Sequence, residues 1–175
     1  MIETENLSMI PHSPGHLIAL MERPQEYQTL AGFPAADGLR EFFVSGDVSQ
    51  AFLDSLRALQ QPDPWRLGFA ALHREAQLVI GSAGFKGPPD SEGMVEIAYG
   101  VVPAFQRRGY ATEMAKALVD YALHDERVRL LRAHTLREPN PSTKVLRKCG
   151  FDFTGEVVEP DDGPVWRWER KVATG

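Results

Sequence analysis

Apolar positions along the chain follow two periods. Ala111, Met114, Ala115, Leu118, Val119, Ala122 and Leu123 recur at helical spacing, so the sequence predicts an amphipathic helix there. Val48, Ala51, Phe52, Leu56 and Leu59 show the same period, and Pro62 ends it. Residues 14–21 read as a shorter helix, stopped near Pro24. Strand-like runs occupy residues 7–10, 65–72, 78–85, 95–102, 128–136, 151–158 and 165–170. The polar turn His73-Arg74-Glu75 joins two of them as a hairpin, and Asp161-Asp162-Gly163 turns the last pair. Asn140-Pro141 opens a short helix, with Asn as cap and Pro at the first helical position, and Gly150 closes it.

The predicted order is β-α-α-β-β-β-α-β-α-β-β. Hairpins make part of the sheet antiparallel, and the strand–helix–strand over residues 95–136 makes a right-handed parallel crossover. The class is mixed α/β in one domain, residues 1–175. The loosest stretch, residues 24–47, holds three glycines and two prolines and shows few periodic apolar positions.

Composition narrows the function classes. With 175 residues, 43% apolar and 25% charged, the chain has ordinary globular usage. A chain of this size buries roughly 70% of its unfolded surface, so it needs no staples and disorder is not expected. The single cysteine, Cys149, excludes an internal disulfide framework, and no Cys-rich zinc pattern or other metal site is expected. No apolar run approaches the roughly 18 to 20 residues that span a bilayer. Met1-Ile2-Glu3-Thr4-Glu5 carries two acids and no basic region, so no signal peptide is expected and a reducing cytoplasm is the expected compartment. Net charge is −5, which argues against a sequence-blind nucleic-acid binder; no basic–aromatic stripe supports RNA binding.

The chemistry concentrates in Gln106-Arg107-Arg108-Gly109-Tyr110-Ala111-Thr112, between a strand and the best helix. Gly109 permits a backbone turn that side-chain-bearing residues rarely take, and small Ala111 allows close approach. The amides after Arg107 are then unpaired donors at a helix N-terminus, which carries about half a positive charge and attracts anions. Arg107 and Arg108 add full charges. This is a pyrophosphate cradle or, more plainly, a polar strand–helix loop with one glycine. No G-x-x-x-x-G-K-[ST] run and no G-x-G-x-x-G before a helix is present.

The stretch V-E-I-A-Y-G-V-V-P-A-F-Q-R-R-G-Y-A-T-E resembles the acetyl-CoA-binding motif of the GNAT superfamily of N-acetyltransferases. That motif is Q/R-x-x-G-x-G/A after a strand, standing here as Gln106, Gly109 and Ala111. Further on, P-N-P-S-T-K-V-L-R-K-C-G-F is similar to the second signature of that superfamily, in the form typical of the branch that acetylates ribosomal-protein N-termini. The resemblance is strong over residues 78–154; earlier residues match in element order. It implies a mostly antiparallel twisted sheet of about six to seven strands flanked by helices, with acetyl-CoA as cosubstrate and a primary amine as acceptor.

Roles follow from the resemblance residue by residue. The amides of Arg107, Arg108, Gly109, Tyr110, Ala111 and Thr112 hold the CoA pyrophosphate. Backbone groups of Gly100, Val101 and Val102 pair with the pantetheine arm, where this strand splays from the one through Leu130. Asn140 and Ser142 meet the pantetheine and thiol end, and Tyr110 packs rather than reacts. Attack on a thioester needs a base for the ammonium proton, and donors toward the oxyanion. The thiol, with an ordinary pKa of about 8.5, needs little acid help.

Alternation places Glu96, Ala98 and Gly100 on one strand face, with Val95, Ile97, Tyr99 and Val101 on the other. Glu96 is the candidate base, directly or through a water; the competing reading is a salt-bridged rim glutamate. Many family members carry a Tyr acid four residues before the second-motif Gly, where this chain has Leu146. Ser142 is the replacement candidate, against a role in capping its helix. His134 near the cleft is expected to pack or hydrogen-bond, Cys149 to be a small buried hydrophobe, and Trp166 and Trp168 to pack on one strand face. The acids Glu156, Glu159, Asp161 and Asp162 form either a solvated turn or an attraction for a cationic acceptor.

The sequence reads as an acetyl-CoA-dependent N-acetyltransferase, with a protein or peptide N-terminus as leading acceptor and a small amine as the other. The competing class is a non-catalytic acyl-CoA-binding or regulatory module, favoured by Leu146 alone. No nucleic-acid or membrane partner is expected, and either a monomer or a homodimer is compatible with the sequence.

Overall fold

Proline and glycine cut the chain into short segments, and in the computed structural model eight of them are strands of one sheet. Residues 1–44, 50–160 and 162–173 are described; Asp47, Val48 and Asp161 lie outside them. A small hairpin, β1 (Ile2–Glu3) and β2 (Leu7–Pro11), opens the chain. Five helices follow: α1 (Pro14–Glu22), α2 (Pro24–Ala31), α3 (Glu41–Val44), α4 (Gln50–Ala58) and α5 (Pro64–Leu67). Next come β3 (Phe69–His73), β4 (Leu78–Phe85) and β5 (Met94–Val101). A single 3-10 turn at Pro103–Phe105 leads into α6 (Tyr110–Leu123), then β6 (Leu130–Thr135), α7 (Pro141–Lys148), β7 (Asp152–Glu159) and β8 (Gly163–Lys171). The sheet order is β1-β2-β3-β4-β5-β6-β8-β7; among these strands β5 and β6 pair in parallel and the other neighbours antiparallel.

The mixed, mostly antiparallel sheet agrees with the sequence expectation, and the added strand is β1. Its two residues have no period to read; tertiary contacts hold them. The Arg74 guanidinium donates to the carbonyls of Thr4, Glu5 and Leu7 and pairs with Glu3. Thr4 and Asn6 both donate to the Glu113 carboxylate on α6.

The run over residues 65–72 is not one strand. Asp63 accepts hydrogen bonds from the amides of Trp65 and Arg66, Pro64 sits in the first turn, and α5 forms instead. The strand begins only after Gly68, whose φ is +73°; a Cβ there would lie 2.4 Å from the Ala83 carbonyl oxygen. The expected loose stretch likewise holds α2 and α3, with Pro24 opening α2 and Gly32 ending it at φ +90°.

The core lies between the sheet and α6. Met114, Leu118 and Ala122 of α6 are buried with Ile80, Val95, Ile97, Leu131 and Trp168. Truncating such a residue, Leu118→Ala for instance, costs about 2 to 5 kcal/mol. A smaller cluster of Leu17, Met21 and Leu56 joins α1 to α4. Among the described residues no helix is long and apolar enough to cross a membrane.

Candidate active site

The sheet opens at one place. Pairing between β5 and β6 covers Met94, Val95 and Glu96 and stops there, although both strands run on. The Lys86 amide donates to the Glu96 carbonyl at 2.9 Å, and the Val102 amide to the Ile80 carbonyl at 2.8 Å. Even-numbered residues of β5 therefore turn their backbone groups toward β4, and those of Tyr99 and Val101 face the slot. Gln106 Nε2 donates to the Val101 carbonyl at 2.9 Å, tying the end of β5 to the loop before α6. Val95, Ile97 and Val101 are buried toward α6, while Glu96, Ala98 and Gly100 occupy the opposite face, as alternation predicted.

The loop into α6 has two residues in the left-handed region, Arg107 at φ +65° and Gly109 at +87°. A Cβ at Gly109 would meet open space, so the backbone there is bare toward a ligand. The first-turn amides of α6 have no intrahelical acceptors. Tyr110 is held from behind, its hydroxyl 2.8 Å from His73 Nε2, so it packs as expected. Arg108 lies over the Phe105 ring, 5.4 Å from its centroid.

A cavity of about 590 Å³ runs from this loop along the slot to the start of α7. Gly100, Val101, Gln106, Arg107, Gly109, Tyr110, Ala111, Thr112, Asn140 and Ser142 all line it. Two predicted cofactor residues do not: Val102 is fully buried, and Arg108 is stacked on Phe105. Lys144 and Lys148 of α7 also line the cavity, as does Phe42, which is 43% exposed and whose ring lies over Gly100. Helical spacing gave no reason to single these three out.

A second cavity of about 420 Å³ occupies the mouth of the slot. Lys86, Glu96, His134 and Asp162 line it, and it shares Tyr99, Asn140 and Ser142 with the first. Glu96 Oε2 lies 2.9 Å from Lys86 Nζ and 3.1 Å from His134 Nδ1, which makes no aligned hydrogen bond. Arg167 Nε donates to His134 Nε2 at 3.1 Å, and Glu159 Oε1 lies 3.3 Å from the same nitrogen. Arg167 also pairs with Glu159 at 3.2 Å. Burial pushes the Glu96 carboxyl up, but Lys86 and His134 outweigh it and hold the group below its ordinary value. Glu96 is thus salt-bridged and also lines this cavity.

The acid side of the site differs from the expected pattern. Leu146 is wholly buried in the core and reaches neither cavity. The cap of α7 is a reciprocal pair: Asn140 Oδ1 accepts from the Thr143 amide at 3.1 Å, and Thr143 Oγ1 accepts from the Asn140 amide at 3.2 Å. Ser142 takes no part in that cap. It lines both cavities beside Tyr99, whose phenol burial raises well above its ordinary value, so that Tyr99 stays protonated. Period-two reading placed Tyr99 on the face of Val95, Ile97 and Val101 and gave it no role. Cys149 and Trp168 are buried, as expected of packing residues.

Residues 16–152 match the model of the acetyltransferase (GNAT) domain. The uncharacterized N-acetyltransferase YjdG of Bacillus subtilis (strain 168) is 29% identical over 127 residues, covering 73% of this chain and 67% of its own. A ribosomal L7/L12 alpha-N-protein acetyltransferase in complex with coenzyme A shares the fold, with a TM-score of 0.64 and 13% identity over 97% of this chain and 96% of that one. An aminoglycoside acetyltransferase, AAC(6')-Ib, in complex with coenzyme A gives a TM-score of 0.63 and 18% identity over 94% of each chain.

Proposed function

The chain belongs to the GNAT acetyltransferase family, and on that premise we propose that it moves the acetyl group of acetyl-CoA to the primary amine at a protein or peptide N-terminus. The observation that carries this reading is the meeting of two cavities at Tyr99, Asn140 and Ser142, in the gap between β5 and β6. One cavity has an amide-rich helix start and cations suited to a pyrophosphate; the other has a carboxylate suited to an ammonium. Holding thioester and amine together at that junction supplies several kcal/mol of the barrier, about 7 to 11 in favourable cases.

In this reading the pantetheine arm lies along the slot edge of β5, and the amides of Arg107 and of Gly109 to Thr112 hold the pyrophosphate. Glu96 receives the ammonium proton, directly or through a water. The neutral amine attacks the thioester carbonyl, whose developing charge faces the unpaired N–H groups of the slot edge. The thiolate leaves toward Ser142 and Tyr99. No covalent enzyme intermediate is needed. The N-terminal acceptor is favoured by the V-L-R-K-C-G-F segment; a small amine is the alternative.

The test is to incubate the protein with acetyl-CoA and a panel of peptides and small amines, following thiol release and product mass. Turnover on peptide N-termini is expected. Turnover confined to small amines would overturn the acceptor class. Tight acetyl-CoA binding without turnover on any amine would favour a binding or regulatory module.

A further inference from the structure

The candidate acceptor cavity already contains a primary amine. Lys86 follows β4 directly, and its amide is fixed to the Glu96 carbonyl. Its side chain, 55% exposed, curls back so that Nζ lies 2.9 Å from Glu96 Oε2. It lines the cavity together with Asn140 and Ser142, which also line the cofactor cavity. The chain has five lysines, and Lys86 alone lines this cavity; Lys144 and Lys148 line the cofactor side. An ammonium on the carboxylate that is to deprotonate the acceptor stands where an acceptor amine must stand.

We propose that Lys86 is a self-acetylation site: in the absence of a better acceptor, the protein transfers acetyl from acetyl-CoA to its own Lys86 Nζ. The inference rests on the transferase reading above. In the step, the Nζ ammonium gives its proton to Glu96 or to water. The neutral nitrogen attacks the thioester carbonyl carbon, a C–N bond forms, and the C–S bond breaks. Coenzyme A leaves as thiolate and takes a proton from the site or from water. The products are Nζ-acetyl-Lys86 and coenzyme A, with no oxidant or reductant required. Acetylation also removes the cation paired with Glu96 and leaves the carboxylate to an incoming amine.

Burial pushes the Lys86 ammonium down, but Glu96, with Asp162 and Glu159 behind it, outweighs burial and holds it above its ordinary value, so the amine is mostly protonated near neutrality. The reaction is therefore slow at neutral pH and should speed up about tenfold per pH unit until Nζ loses its proton.

The experiment incubates the full chain with acetyl-CoA and no added amine, then measures intact mass and maps the acetylated peptide. One acetyl group at Lys86 is expected, formed at a first-order rate independent of protein concentration and faster than in the urea-unfolded chain. Lys86→Arg keeps the cation beside Glu96 but offers no nucleophilic amine, and should abolish that adduct. Equal labelling of Lys86 and Lys116, or equal labelling of the folded and unfolded chain, would overturn the proposal as ordinary chemical acetylation. An unmodified Lys86 in a preparation that does acetylate an added amine would also overturn it, leaving the transferase reading intact. Absence of both reactions would remove the transferase reading and this inference together.

Discussion

Glu96 is ionised throughout the neutral range, because Lys86 and His134 together outweigh its burial. A carboxylate so held is a better resting place for an ammonium than a strong base, which suits proton transfer through water. Glu96→Gln keeps the shape and removes the proton acceptor; kcat should fall by roughly 10²-fold near neutral pH, while calorimetry should show acetyl-CoA affinity nearly unchanged. An unchanged kcat across the pH range would remove Glu96 from the reaction. Ser142 permits an equally sharp test, because the structure separates it from helix capping. Ser142→Ala removes one hydrogen bond, worth about 0.5 to 1.5 kcal/mol, so kcat should drop roughly 2- to 13-fold with melting unchanged. Asn140→Ala, which does remove the cap, should cost about 1 kcal/mol of stability. A melting shift in Ser142→Ala equal to that of Asn140→Ala would contradict the observed cap.

The α6 loop was the most legible element, since consecutive residues carry it, whereas the slot between β5 and β6 was implied by the resemblance. Alternation alone placed Glu96 opposite Val95 and Ile97, and Gly109 alone marked the turn. The structure adds a second left-handed residue, Arg107, which carries a Cβ and so takes this conformation at a cost. Less legible elements have tertiary or capping causes. The short helix α5 owes its form to the Asp63 side chain, and β1 to the reach of Arg74. The proton-handling groups were hidden for the same reason. Lys86 and Glu96 face each other across the β4–β5 hairpin, and His134 and Arg167 come from two strands far apart in sequence. At this scale the loop makes its own prediction. Gly109→Val forces a β-branched residue to φ +87° and projects methyl groups into the space before α6. The KM for acetyl-CoA should rise well before the fold fails. Unchanged acetyl-CoA binding by calorimetry would put the pyrophosphate elsewhere.

Across the whole molecule, His12 links α3 to the sheet. It follows β2, its amide donates to the Gly68 carbonyl at 3.0 Å, and its Nε2 lies 2.9 Å from Ser82 Oγ on β4. Its ring meets Phe43 of α3 edge-on at 5.7 Å. Burial, with a smaller contribution from His16, pushes its pKa from 6.5 down to about 3. The unfolded chain therefore binds a proton near pH 6.5 that the folded chain refuses until about pH 3. Stability from neutral His12 is complete above pH 6.5 and declines as pH falls below it, by about 1.4 kcal/mol per pH unit. At about pH 5 the loss is roughly 2 kcal/mol, before ordinary carboxylates near pH 4 begin to titrate. His16, also lowered by burial, adds in the same direction. His12→Gln keeps a polar partner for Ser82 and removes the titration. Urea unfolding at a series of pH values should show the wild-type losing stability between about pH 6.5 and 5, and the variant losing roughly 2 kcal/mol less over the same window. Parallel curves for the two proteins would mean that His12 is protonated in the folded state, and that the fastening of α3 to the sheet does not depend on its neutrality.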